Sequence, residues 1–421
     1  MNCLIKKARV IDKNSSWNGK IVDILIKKGK IEEISDEIIV ENIKTIGFEG
    51  LCISPGWLDI GTTLTEPGHE DLDDLHSLQQ SALKGGFTGL AVFPNTKPSI
   101  DNKAMIDALI KRSSDFAVDI MPVGAVTYSC GGKDLAEMFD MHSSGAVAFS
   151  EGKESLQHGG VMLRALKYAS MLNLSVINRP DERTISEIGM VDEGIDAVNI
   201  GLPGMPVLAE TLMLQRDIQL AEYTGGSLIA HMVSTADSVK LIKQAKRDEL
   251  KVKATVSWHN LVETSKILKG FDPNHKVMPP IRNKAQRNAL IKGLTEGIID
   301  GIVSNHTPID LEEKRKAFSD AAFGALGLEQ MFGVLRSKLQ DVVGLEILVD
   351  KLSNGPREVL GLEPATIETG NDCNMTIFQP DQKWIFTKED VQSKSANAPY
   401  LDMELTGKVI GIYNRRQLII S

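Results

Sequence analysis

Cysteine is scarce: the 421 residues hold four, Cys3, Cys52, Cys130 and Cys373, scattered and without a C-x-x-C pair. That spacing argues against a disulfide framework or a zinc ribbon, so free thiols are expected. Long apolar runs are missing too. None approaches the roughly 20 residues that span a bilayer, and the opening MNCLIKKARVIDKNSSW has no signal-peptide core. A cytoplasmic protein without membrane contact is expected. Lys and Arg are dispersed and the formal net charge is −9. A surface that tracks phosphates needs concentrated positive charge, so nucleic acid is not an expected partner.

What is present is ordinary globular composition, 42% hydrophobic and 24% charged, enough for one large domain and a smaller one. The first fifty residues alternate as short strands (NCLIKKARVI, KIVDILIKKGKIEEI, TIGFEGLCI), and the last fifty do the same (CNMTIFQP, KWIF, GKVIGIYNRRQLII). Both ends are expected to form one small antiparallel β-sandwich, from residues 1–52 and 363–421. Residues 53–362 read differently. Eight β-prone runs begin with WLDIG, FTGLAVFP and VDIMPVGAVT, continue through GAVAFS, LSVIN and SLIAH, and close with KATVSW and DGIVSN. Helix-period stretches follow them, several ending in Gly. Eight buried strands with intervening helices predict a (β/α)8 barrel. A doubly wound open sheet is the competitor, but GTTLTEPG is no phosphate-binding glycine loop.

Barrel chemistry sits at the C-terminal ends of the strands. Those ends nominate Gly61, Thr63, Asn95, Thr127, Glu151, Asn178, His231, His259 and Asn305. The set is polar, yet it holds two histidines and one carboxylate where a metal hydrolase needs more.

These segments resemble, in order and over essentially the whole chain, those of the class I dihydroorotases of the amidohydrolase superfamily. SPGWLDIGTTLTEPG is similar to the family's P-G-…-D-x-H-x-H-L-R-E-P-G. GGFTGLAVFPNTKPSIDN, AFSEG, LIAHMVST, KVMPPIR, IVSNHTP, GALGLE and NGPREVLGL also have counterparts there. The resemblance implies a zinc site that makes hydroxide from water, a base beside it and a clamp for the substrate carboxylate.

Position by position the implied machinery is altered. The paired histidines of the first strand are replaced by Gly61 and Thr63, and the fifth-strand histidine by Asn178. The acidic ligand is matched by Glu151, one methylene longer, and only His231 is unchanged. Asn305 stands in place of the catalytic aspartate, and an amide takes no proton near neutral pH. In the implied clamp Asn95 is kept, whereas Thr65, Met278 and Ile309 replace an arginine, an asparagine and a histidine.

A catalytically inactive dihydroorotase homologue is therefore expected, with no bound zinc. The resemblance implies a structural partnership with aspartate transcarbamoylase, in a homo-oligomer or hetero-complex. One alternative is a weakly active cyclic amidohydrolase with zinc on Glu151, His231 and His259, and His306 as a further base candidate. Another is a sensor that binds a neutral pyrimidine-like ligand through Asn95, Asn178 and Asn305. Asp59 and the Glu66–Gly68 turn are expected to be structural. His69, His76, His142, His158, His275 and the 310–316 charge run are expected to face solvent.

Overall fold

The computed structural model describes residues 2–420. Five strands open the chain: β1 (Cys3–Val10), β2 (Ile21–Lys27), β3 (Lys30–Ser35), β4 (Lys44–Ile46) and β5 (Cys52–Pro55). The barrel strands follow as β6 (Trp57–Thr62), β7 (Phe87–Val92), β8 (Asp119–Ala125), β9 (Ala148–Ser150) and β10 (Ser175–Asn178). After a two-strand ladder, β11 (Val191–Asp192) and β12 (Gly204–Met205), come β13 (Ser227–Ala230), β14 (Val252–Ser257) and β15 (Gly301–Val303). The chain returns to the first sheet with β16 (Met375–Phe386), β17 (Met403–Asn414) and β18 (Gln417–Ile420).

The eight barrel strands pair in parallel from β6 round to β15, and the expected (β/α)8 architecture is borne out. Helices such as Leu75–Gly85, Gly159–Met171, Val207–Thr224 and Ala236–Arg247 follow successive strands. The seam between first and last strand is closed largely by side chains. Ser304 N–H and Oγ–H each donate to the Asp59 carboxylate at 2.6 Å, Thr62 Oγ donates to it as well, and Thr63 N–H reaches His306 O at 3.1 Å. Asp59 is fully buried and its pKa is raised by that burial, so the seam is held by a group no solvent reaches.

Inside the barrel the inward positions are apolar. Leu58 and Ile60 alternate into a layer with Ala91, Val123, Ala148, Ile177, Ile229 and Val303, and Phe93 and Met232 complete it at the mouth. The barrel is thus filled rather than open.

The small terminal domain is built from both chain ends, as expected, but its pairing is not purely antiparallel. It is a single mixed sheet, because β1 runs parallel to both β4 and β5 while pairing antiparallel with β2. The sheet curls until Ile31 N–H meets Asn371 O at 3.0 Å and Cys373 N–H meets Gly29 O at 2.8 Å. A core of Ile5, Val22, Ile24, Ile53, Met375, Ile377 and Tyr413 lies within the curl. CNMTIFQP and KWIF, expected as separate strands, form the one strand β16. The four cysteines are free, three of them buried.

The helix Leu75–Gly85 shows how loops are pinned near the mouth. Asp74 caps it by accepting from Ser77 N–H at 2.8 Å, and Lys394 from the C-terminal segment bonds the same carboxylate at 2.6 Å. Partial burial alone would raise the Asp74 pKa, but these bonds outweigh it and draw it to about 2. A carboxyl depressed in the folded state adds stability above its ordinary 3.8 and loses it as pH falls towards 2. Asp74→Asn is expected to cost about 1–2 kcal/mol at pH 7, with the gap to wild type narrowing below pH ~4. Urea-unfolding midpoints across that range check it, and a pH-independent gap would contradict it.

Two solvent-facing expectations fail. His275 is buried, its ring edge-on to Tyr400 at 5.7 Å, since the loop carrying it folds under the C-terminal segment. Within 310–316, Lys314 is also buried, donating to Pro273 O at 2.7 Å and Ala322 O at 2.8 Å. Burial lowers its pKa to about 8. Among the described residues no helix is long and apolar enough to cross a membrane.

Candidate active site at the barrel mouth

The first strand ends in a bulge. Ile60 pairs with Ala91 and Thr62 with Val92, so Gly61 is the extra residue, at φ +85°. That conformation favours glycine, and the space beside it is taken. A Cβ on Gly61 would lie 2.6 Å from His231 Nε2 and 2.7 Å from Phe93 Cζ. Thr63 faces Thr307, their hydroxyls 3.4 Å apart.

His231, at the end of β13, is fully buried. Its Nδ1 lies 3.0 Å from Thr255 Oγ, and its Nε2 has no partner. The Phe93 ring packs edge-on against it at 5.2 Å. Burial first, and then the positive charge of Arg179, pull its pKa down to about 3. The imidazole is therefore neutral at physiological pH.

Glu151 does not join it. Its carboxylate accepts from Thr127 N–H and Oγ–H, both at 2.8 Å, and from Gly132 N–H at 3.2 Å. Burial raises its pKa despite these bonds. Asn178 is turned away as well: its amide donates to Asp217 at 2.7 Å and accepts from Leu156 N–H at 2.9 Å. Asn305, held at φ +48°, donates to Met278 O at 3.0 Å. His259 stacks at 4.0 Å on Trp258 with neither ring nitrogen bonded, and burial depresses its pKa strongly. His306 accepts backbone N–H bonds from Gly327 and Leu328 at Nδ1. Among the described residues no three His, Cys, Asp or Glu side chains converge to hold a metal ion. Glu151, His231 and His259 are thus not brought together as the rearranged zinc site requires.

The implied clamp is equally dispersed. Thr65 Oγ is bonded to Asp73 O at 2.7 Å, and Ile309 is half-buried with its N–H on Asn397. Asn95 donates to Glu151 O and accepts from Lys153 N–H, at 3.0 and 2.9 Å. The amide-lined pocket expected of a neutral-ligand sensor is therefore not formed. Asn95 and Asn178 spend their amides on neighbouring chain, and of the three only Asn305 lines the mouth cavity.

Sequence reasoning missed Lys153, Arg179 and Arg183, which line that cavity with Phe93, Met232, Met278 and Phe323. A signal was available: Lys153 and Arg179 follow the nominated positions 151 and 178 by two residues and one. Lys153 keeps solvent access, yet the crowded mouth and Arg179 lower its pKa to about 8.

A profile of the family described as "Dihydro-orotase-like" matches residues 50–238. The protein named dihydroorotase in Carboxydothermus hydrogenoformans is 38% identical over 412 residues, spanning 97% of this chain and 95% of that one. The chain belongs to the dihydroorotase family. The dihydroorotase of Syntrophus aciditrophicus is 35% identical over 415 residues, 97% of each chain. Among solved structures, the L-hydantoinase (dihydropyrimidinase) of Arthrobacter aurescens superposes with a TM-score of 0.86 at 24% identity, covering 100% of this chain and 96% of its own. A D-hydantoinase gives 0.83 at 20% identity, covering 100% and 95%. At those identities the structures share the fold. This member of the dihydroorotase family therefore keeps the amidohydrolase barrel and terminal sheet while carrying Gly61, Thr63 and Asn305 at the mouth, with Asn178 turned onto Asp217.

Proposed function

We propose that this chain is a cytoplasmic dihydroorotase homologue of pyrimidine biosynthesis that has lost hydrolysis and acts as a structural partner of aspartate transcarbamoylase. The observation that carries the loss is Gly61. A catalytic zinc takes three protein donors, and the cradle that a first-strand histidine would fill is occupied by Phe93 and His231. The unpaired His231 Nε2 is one available donor, but Glu151 and Asn178 are turned onto Thr127 and Asp217. This donor set does not fit zinc. Asn305 adds to the loss, since its amide cannot take up a proton near neutral pH.

The partnership rests on the fold kept intact around such a mouth. Support comes from the exposed apolar residues that follow β10, Ile188, Ile195 and Val198, each 72–75% exposed, with Leu208 and Leu212 beside them in sequence. The test mixes purified chain with aspartate transcarbamoylase of the same organism at micromolar concentration, followed by size-exclusion chromatography with light scattering. A stoichiometric complex is expected. Two independent peaks would sink the partnership.

A second reading, an active dihydroorotase, is favoured by one observation: relatives 35–38% identical over nearly the whole chain are named dihydroorotase. It requires Glu151 to leave Thr127 and a third donor, such as His259, to move.

A further inference from the structure

The mouth cavity has a volume of about 210 Å³, below the ~300 Å³ at which sites for drug-sized ligands begin, so it suits a small metabolite. One wall is apolar, from Phe93, Met232, Met278 and Phe323. Thr63, Thr307 and Asn305 add neutral polar groups.

The remaining wall is cationic and incompletely matched. Arg183 is paired with Glu154 and Arg179 only loosely with Asp181, which leaves Lys153 without a carboxylate. The Arg179 side chain is only 9% exposed, and its Nη2 donates to Lys153 O at 2.9 Å. Its Nε–H has no partner, and the nearest carboxylate, Asp181, stands 3.7 Å away, too far for a hydrogen bond. Among the described residues no carboxylate lies within ion-pair distance of Lys153 Nζ. A buried guanidinium with an unspent donor, beside a second cation, is unfavourable unless an anion completes it. A guanidinium fork matches the planar geometry of carboxylate and the oxygens of phosphate.

We propose that the barrel mouth binds a small organic anion, its carboxylate or phosphate group on Arg179 and Lys153 and its apolar body against Phe93, Met232 and Phe323. This is not the clamp of the family resemblance, which would use positions 65, 95 and 309. The inference rests on the reading of the mouth as free of zinc, because a dication beside His231 would stand against Arg179.

The test is isothermal titration of the full chain, in parallel with and without EDTA, using benzoate, phenyl phosphate, inorganic phosphate and the neutral benzamide. Benzoate or phenyl phosphate is expected to bind once per chain, unaffected by EDTA, and at least tenfold more tightly than benzamide. The tighter of the two identifies the headgroup, and inorganic phosphate, lacking the apolar body, is expected to be weaker. Arg179→Gln should weaken binding at least tenfold. If that variant does not fold, Lys153→Gln, at a solvent-accessible position, decides with an expected loss of threefold or more. Equal binding of benzamide, or binding unchanged in these variants, would overturn the proposal. Absence of binding by metal-free protein overturns it alone and leaves the loss of hydrolysis standing. Binding that disappears with EDTA and returns with zinc would overturn both.

Discussion

Gly61→His is expected to lower stability by roughly 2–5 kcal/mol and to leave the chain without a zinc site. Two costs combine. A side chain at φ +85° forces an L-residue into left-handed backbone, about 1–2 kcal/mol. Overpacking adds about 1–3 kcal/mol, because the new Cβ meets His231 Nε2 at 2.6 Å and Phe93 Cζ at 2.7 Å. Neither neighbour yields easily: His231 is anchored on Thr255, and Phe93 belongs to the inward layer that fills the barrel. Chemical-unfolding midpoints, read beside zinc content, test the point. A variant within about 0.5 kcal/mol of wild type that takes up zinc stoichiometrically would show that the cradle is still open.

Turnover of dihydroorotate per chain is expected at least about 10⁴-fold below that of an active dihydroorotase. A positioned base contributes about 10²–10⁴-fold, and metal-generated hydroxide supplies a further factor that these side chains cannot. Asn305 donates its amide to Met278 O, and Glu151 is held by three hydrogen bonds from Thr127 and Gly132. Steady-state assays of protein made in a host lacking its own dihydroorotase would measure this. Activity within a hundredfold of an active enzyme, rising with added zinc and abolished by Glu151→Ala, would contradict the expectation.

Much of the fold was legible because burial writes a clear pattern. The eight strands were placed within a few residues, since parallel strands covered on both faces read as short apolar runs. The terminal sheet was less legible. Alternation marks a strand but does not say whether its neighbour runs parallel, so β4 and β5 beside β1 escaped notice. At the mouth, the absence of histidine at 61 and 63 could be read directly. Side-chain direction could not: that Asn178 turns to Asp217, and Asn95 to the Glu151 carbonyl, depends on rotamers fixed by packing. The same limit hid His275 and Lys314, whose burial comes from segments distant in sequence. Lys153 and Arg179 lie just past the ends of β9 and β10, where strand alternation no longer tells which way a side chain faces.

The most direct test of the proposed loss of the zinc site is elemental analysis of zinc, manganese and cobalt on untagged protein purified without chelators. Trace contamination by a host enzyme could mimic turnover, but it could not supply a stoichiometric metal. Less than about a tenth of an ion per chain is predicted, because among the described residues no three ligating side chains converge to join the free His231 Nε2. One ion or more per chain would mean that Glu151 and His231 recruit a third ligand, and the loss of hydrolysis would have to be abandoned.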